Sequence, residues 1–415
     1  MAPSDIDLSH INLWDKDRFV EGVPHDWFTE LRRDAPVFWH EGDPSFDGPQ
    51  GGAGPFWCVT GYDDVVTVNR DNATFSSSKK LVFMWDPDEA NLEHQQLLML
   101  NMDPPMHTRY RRLINKGFTP RMVSELESTM RKRTIDIIDA VADRGECDFV
   151  VDVASELPLQ VIADLMGVPQ EDRHKLFDWS NQMIGAEDPE YGITEEITQD
   201  ASMQLYAFAN TLAAQKRADP KDDLISVLTH SSVDGEMLSE IELDLFFLLL
   251  TVAGNETTRN LISHGMVALL EHPEELEKVR ANRALLPGAV EEMLRWASPV
   301  MHFRRTATRD VELGGQQIKA GDKVVIWYIS ANRDEQAFND PSTFDVERSP
   351  NEHVAFGGGG PHFCLGANLA RMEIQVMFDE VLNRLDDIEM TAPPARLRSN
   401  FINGLKHVPL KFSAK

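Results

Sequence analysis

Residues 238–270 read LSEIELDLFFLLLTVAGNETTRNLISHGMVALL. Apolar residues three and four apart carry a helical period through the stretch, and its first half is largely apolar on every side. A helix without a polar face runs through the middle of a large protein, not over its surface. Inside it sits Ala253-Gly-Asn-Glu-Thr-Thr258. Glycine there weakens a helix by about 1 kcal/mol relative to alanine. An acid and two hydroxyls in apolar surroundings add a desolvation cost. A local widening of the helix would bring Gly254 up to a ligand and open a polar groove. The competing account is a kinked core helix with Thr257 bonded back to a carbonyl.

Outward from this helix the chain divides by pattern. Helical periodicity dominates residues 105–295 and 367–385, with examples at 122–142 and 157–166, and a short helix is expected over 25–34. β-rich parts are expected at about 36–60, 300–330 and 397–412, including strands at 36–40, 56–60 and 323–329. Gly- and Pro-rich residues 41–55 read as a turn region, and Asn403-Gly404 as a hairpin turn. With no repeat or long linker, residues 1–415 are expected to form one domain: mainly α with small β-sheets and a long central helix.

The 415 residues include 40 basic and 68 acidic side chains, giving a formal net charge of −28. That balance argues against nucleic acid or an anionic membrane as the main partner. Three cysteines, Cys58, Cys147 and Cys364, make no disulfide framework and suit a reducing compartment. No signal peptide is read at the start, and the longest apolar run is half of the roughly 20 residues a spanning helix needs. The expectation is a cytoplasmic protein without a membrane span.

The second chemical stretch is Phe356-Gly-Gly-Gly-Gly-Pro-His-Phe-Cys364-Leu-Gly366. So many glycines before a cysteine describe backbone passing close to something flat or bulky. Amide N–H groups of such a loop, and the positive end of the helix that follows, favour a thiolate. No second cysteine or paired histidine offers zinc spacing, and there is no C-x-x-C-H for covalent haem. A buried structural cysteine beside a glycine turn remains the competing account. Glu292-Met-Leu-Arg295 places opposite charges on one helix face, flanked by apolar residues that suggest burial. Asp103-Pro-Pro-Met-His107-Thr-Arg-Tyr-Arg111 puts His107 and Arg111 on one face, suited to gripping carboxylates, though solvated basic faces are commoner. Arg304-Arg305 leads into the small sheet.

In this order and spacing the motifs resemble a cytochrome P-450 over essentially the whole chain. The resemblance implies that fold, with the long helix over a haem b (iron protoporphyrin IX), and makes Cys364 the axial iron ligand. It makes Glu292 and Arg295 a buried pair completed by Arg348. His107, Arg111, Arg305 and His362 would hold the haem propionates, with Arg304 a rival to Arg305, and Gly254 and Phe356 would border the haem. Glu256 and Thr257 match an acid–alcohol pair that delivers protons to bound dioxygen. The pocket would be lined from 81–85, 249–253, 300–303 and 401–402, with Val82, Phe83, Trp85, Val252, Ala253, Val300 and Phe401 singled out.

Phe356 lies eight residues before Cys364, where the commonest bacterial loop has seven. This longer run resembles the actinobacterial branch that oxidises sterol side chains and methyl-branched lipids. The implied reaction is therefore monooxygenation of a lipophilic substrate with O2, terminal hydroxylation (C-26 or C-27) of a steroid such as cholesterol or cholest-4-en-3-one. Alternatives are ω-hydroxylation of methyl-branched fatty acids or terpenoids, and a peroxide-driven haem enzyme. Lacking a dinucleotide fingerprint or an iron–sulfur motif, the chain would take electrons from a ferredoxin and ferredoxin reductase, NAD(P)H acting only through them. Arg112, Lys116 and Arg121 are candidate ferredoxin contacts.

Overall fold

The structure is a computed structural model that describes residues 7–43, 53–87, 89, 91–118, 120–185, 188–233 and 235–415. Most of the expected turn region at 41–55 lies outside them, as do the side chains of Lys116 and Arg121.

Nine helices position the chemistry: α1 Tyr62–Arg70, α2 Met106–Ile114, α3 Pro120–Ala142, α4 Glu156–Met166, α5 Arg173–Ile184, α6 Glu195–Ala218, α7 Glu240–Glu271, α8 Leu286–Ala297 and α9 Ala367–Arg384. The central helix α7 starts at a full capping box, in which Ser239 and Glu242 satisfy each other's backbone N–H groups. It packs on α4, α5, α6, α8 and α9, which explains why its sequence has no polar stripe. The large apolar core gathers side chains from Met99 to Phe412 around it.

Five strands form the main sheet: β1 Val37–His40, β2 Phe56–Val59, β3 Phe75–Ser76, β4 His302–Ala307 and β5 Lys323–Trp327. Their order is β1-β2-β5-β4-β3, and only the β2–β5 pair is parallel. The expected strand at 323–329 stops at Trp327, because Tyr328–Ala331 turns into a helical segment.

Two expectations fail on tertiary contacts. Residues 240–271 form one uninterrupted α-helix, so there is no widening at Gly254. Nor is Asn403-Gly404 a two-residue hairpin turn. The pairing there joins Ala395–Arg396 to Leu405–His407, and Asn403 spends its side chain on the Ala297 carbonyl at 2.5 Å.

Candidate active site

Three elements meet behind the glycine loop. Gly357, Gly359 and Gly360 have φ of 92°, 92° and 79°, a region that only glycine enters cheaply. The close approach predicted for them is to α1: a side chain at Gly358 would press on Val66, and one at Gly360 on the Asn69 carbonyl. Arg70 Nε caps the loop by donating to the Gly358 carbonyl at 3.0 Å. The loop closes when the Cys364 N–H donates to the Phe356 carbonyl at 2.9 Å. Arg371 lies over the Phe356 ring, 4.6 Å from its centroid, and is held bidentately by Glu291 at 2.6 and 2.8 Å.

Burial pushes the Cys364 thiol up, while the Gly366 N–H and the charges of Arg111 and Arg371 pull it down. Surrounded as it is, Cys364 still keeps exposed surface. So does Ala253, in the middle of the otherwise buried α7, with Thr257 partly exposed one turn on. The exposed thiol thus precedes α9, and the exposed small side chains lie on α7, which packs against α9.

Around it stand four basic side chains from three elements. His107 and His362 have ring centroids 4.2 Å apart. Arg111 donates to the Pro361 carbonyl at 3.1 Å, and His362 Nε2 lies 3.1 Å from Ser77 Oγ. Adjacent residues on a strand point to opposite faces, which separates the two arginines of β4. Arg304 pairs with Asp86 at 2.8 Å. Arg305 donates to Asn69 Oδ1 at 3.3 Å, and Tyr328 donates to the same oxygen at 3.0 Å. Burial, then the charge of Arg111, lowers His107 to about 4. Burial and Arg305 push His362 well below the usual histidine range. His107 Nδ1 has no partner among the described residues. Two guanidinium cations, Arg111 and Arg305, beside neutral imidazoles of which His107 Nδ1 is unpartnered among the described residues, fit the carboxylates of a haem, and the exposed Cys364 fits its iron.

The expected buried pair is present and more elaborate than the spacing suggested. Arg295 donates to both Glu292 oxygens at 2.8 and 2.7 Å, and to the carbonyls of Asn332, Pro341 and Thr343. Arg348 Nε reaches both Glu292 oxygens at 3.2 and 3.1 Å.

On α7, Thr257 Oγ1 donates back to the Ala253 carbonyl at 2.7 Å, as the competing account held. Glu256 is fully buried and ion-paired with Arg259, a partner the sequence reading missed. The bare face of Gly254 is taken by Ile162 of α4, whose Cδ1 would sit 2.8 Å from an added Cβ. Helix packing alone therefore already favours glycine at that position. Of the apolar loop 81–85, Leu81, Val82 and Met84 are core side chains, so Val82 does not line a pocket. Phe83 and Trp85 keep partial exposure and stack at 4.7 Å. Phe401 meets Phe83 at 5.6 Å and Phe303 at 5.7 Å. Val300 pairs with Ile402, and Val252 is half-buried on α7.

Comparison with known proteins places the whole chain. The cytochrome P-450 family profile matches residues 145–403. The chain is 44% identical over 401 residues to a steroid C26-monooxygenase of Rhodococcus jostii, covering 96% of this chain and 84% of that protein. It is 43% identical over 416 residues to a methyl-branched lipid omega-hydroxylase of Mycobacterium bovis, covering 99% and 95%. A Mycobacterium marinum cytochrome P-450 solved with pseudoionone superposes with a TM-score of 0.89 at 40% identity, covering 95% of this chain and 97% of that one. From the thiol behind its glycine loop to the acid and alcohol of its central helix, this chain belongs to the cytochrome P-450 family of haem monooxygenases.

Proposed function

We propose that residues 1–415 form one catalytic unit that hydroxylates the terminal carbon of a steroid side chain, cholest-4-en-3-one or cholesterol being the class. The observation that carries this is the 44% identity to a steroid C26-monooxygenase along 96% of the chain. Cys364 would hold the iron, and His107, Arg111, Arg305 and His362 the haem carboxylates, with Arg304 committed to Asp86. Haem with a thiolate ligand supplies dioxygen activation and oxygen insertion into an unactivated C–H bond.

The protein's own residues orient and protonate. Thr257, whose hydroxyl already bonds within its helix, would turn to hold a water for proton transfer. Glu256 would relay protons to it. Phe83, Trp85, Phe303 and Phe401 supply an aromatic wall against which a rigid apolar substrate excludes water. Electrons come from a ferredoxin and its reductase, drawing on NAD(P)H, and the exposed Arg112 of α2 would contribute to that docking. The likeness to a methyl-branched lipid omega-hydroxylase supports a second reading, in which the substrate is a branched fatty chain. Optical titration of the haem-loaded protein decides between them. Cholest-4-en-3-one should shift the haem spin state at lower concentration than a methyl-branched fatty acid. The reverse order would replace the steroid reading with the lipid one.

A further inference from the structure

Glu256 is turned along its own helix. One carboxylate oxygen accepts from Arg259, three residues on, and both side chains are buried, 1% and 7% exposed. Arg259 does not stop there. Its other terminal nitrogen donates to Asn181 Oδ1 on α5 at 2.9 Å, and its guanidinium lies 5.6 Å from the Phe177 ring centroid on that helix. Asn255 donates to Ser180 Oγ across the same seam at 3.3 Å. Three buried polar atoms within this one turn of α7 have no partner among the described residues: Asn255 Oδ1, Glu256 Oε1 and Arg259 Nε. A fully satisfied structural pair leaves no such atoms. The α7–α5 seam is therefore polar and, among the described residues, incompletely hydrogen-bonded beside the acid, with Ser180 of α5 also within its reach.

Resting on the reading of Glu256 as the proton relay, we propose that Arg259 is its positioning residue, tethered to α5 through Asn181 and Phe177, so that the packing of α5 sets whether Glu256 is held as a carboxylate. A lone carboxylate this deep takes up a proton rather than stay charged. Burial already pushes Glu256 up, and Arg259 is the largest influence opposing it. The planar guanidinium serves acid and tether at once, with separate nitrogens. Lysine would supply the charge without the fork.

The test uses the haem-loaded protein at neutral pH. Infrared spectroscopy should show no protonated-carboxyl band assignable to Glu256 by its loss in Glu256→Gln. In Arg259→Leu that band should appear, and in Arg259→Lys it should vanish again. With cholest-4-en-3-one, ferredoxin and reductase, Asn181→Leu should at least double the share of reducing equivalents lost as hydrogen peroxide. A folded Arg259→Leu protein without the band overturns the proposal. If that variant does not accumulate, an Asn181→Leu protein with normal peroxide yield overturns it, provided Glu256→Gln is impaired. Normal turnover in Glu256→Gln brings down the relay reading itself, and this proposal with it.

Discussion

Two helices of this protein carry the same pair at the same spacing, Glu256-Thr-Thr-Arg259 on α7 and Glu292-Met-Leu-Arg295 on α8. Both pairs are buried. At α8 every guanidinium nitrogen of Arg295 is used, and Glu292 also accepts from Arg348, Asn351 and the Asp345 N–H. At α7 an oxygen of Glu256 and a nitrogen of Arg259 stay unmatched among the described residues. A saturated pair fixes geometry; an unsaturated one keeps an atom in hand for exchange with water or a ligand.

The largest effect that would break this comparison lies at α8. Removing one partner of a buried pair costs about 3–5 kcal/mol, because the other charge stays behind. Glu292→Gln should lose that much in denaturant unfolding, or fail to accumulate. A loss under about 1 kcal/mol would mean that the two pairs do not differ in kind.

Much of this was legible in the sequence. Helix α7 declared itself by apolarity on all sides, and Cys364 by the glycines before it. Arg304 and Arg305 became distinguishable only when strand alternation met Asp86, a residue 218 positions away. The Glu256–Arg259 pair was visible in principle, since its spacing repeats that of Glu292 and Arg295. Its partner Asn181 comes from another helix, which local pattern does not supply. The neighbours of Gly254 and Val82, Ile162 and the β4 backbone, are distant in sequence, so local pattern did not supply them.

A second prediction sharpens the α7 side. Thr257→Ala should keep consuming oxygen while diverting it to hydrogen peroxide, measured as peroxide formed per NAD(P)H. Full coupling in that variant would leave the hydroxyl as no more than a helix-bonded side chain. The smallest effect concerns Glu291, next to the saturated pair. Although burial opposes it, Arg371 and His353 hold its carboxyl down from the usual 4.5 to about 2. A depressed folded-state value contributes stability that is present above about pH 4.5 and lost as pH falls towards 2. Glu291→Gln should accordingly flatten the acid limb of the thermal stability profile, and an unchanged limb would remove that pairing from the account.

The catalytic predictions rest on the proposed sulfur–iron bond at Cys364. The direct measurement is the carbon monoxide difference spectrum of the reduced, haem-loaded protein beside its Cys364→Ser variant. The account predicts the red-shifted thiolate band in the first and its absence in the second. A band that survives the substitution, or never forms in the parent protein, contradicts it.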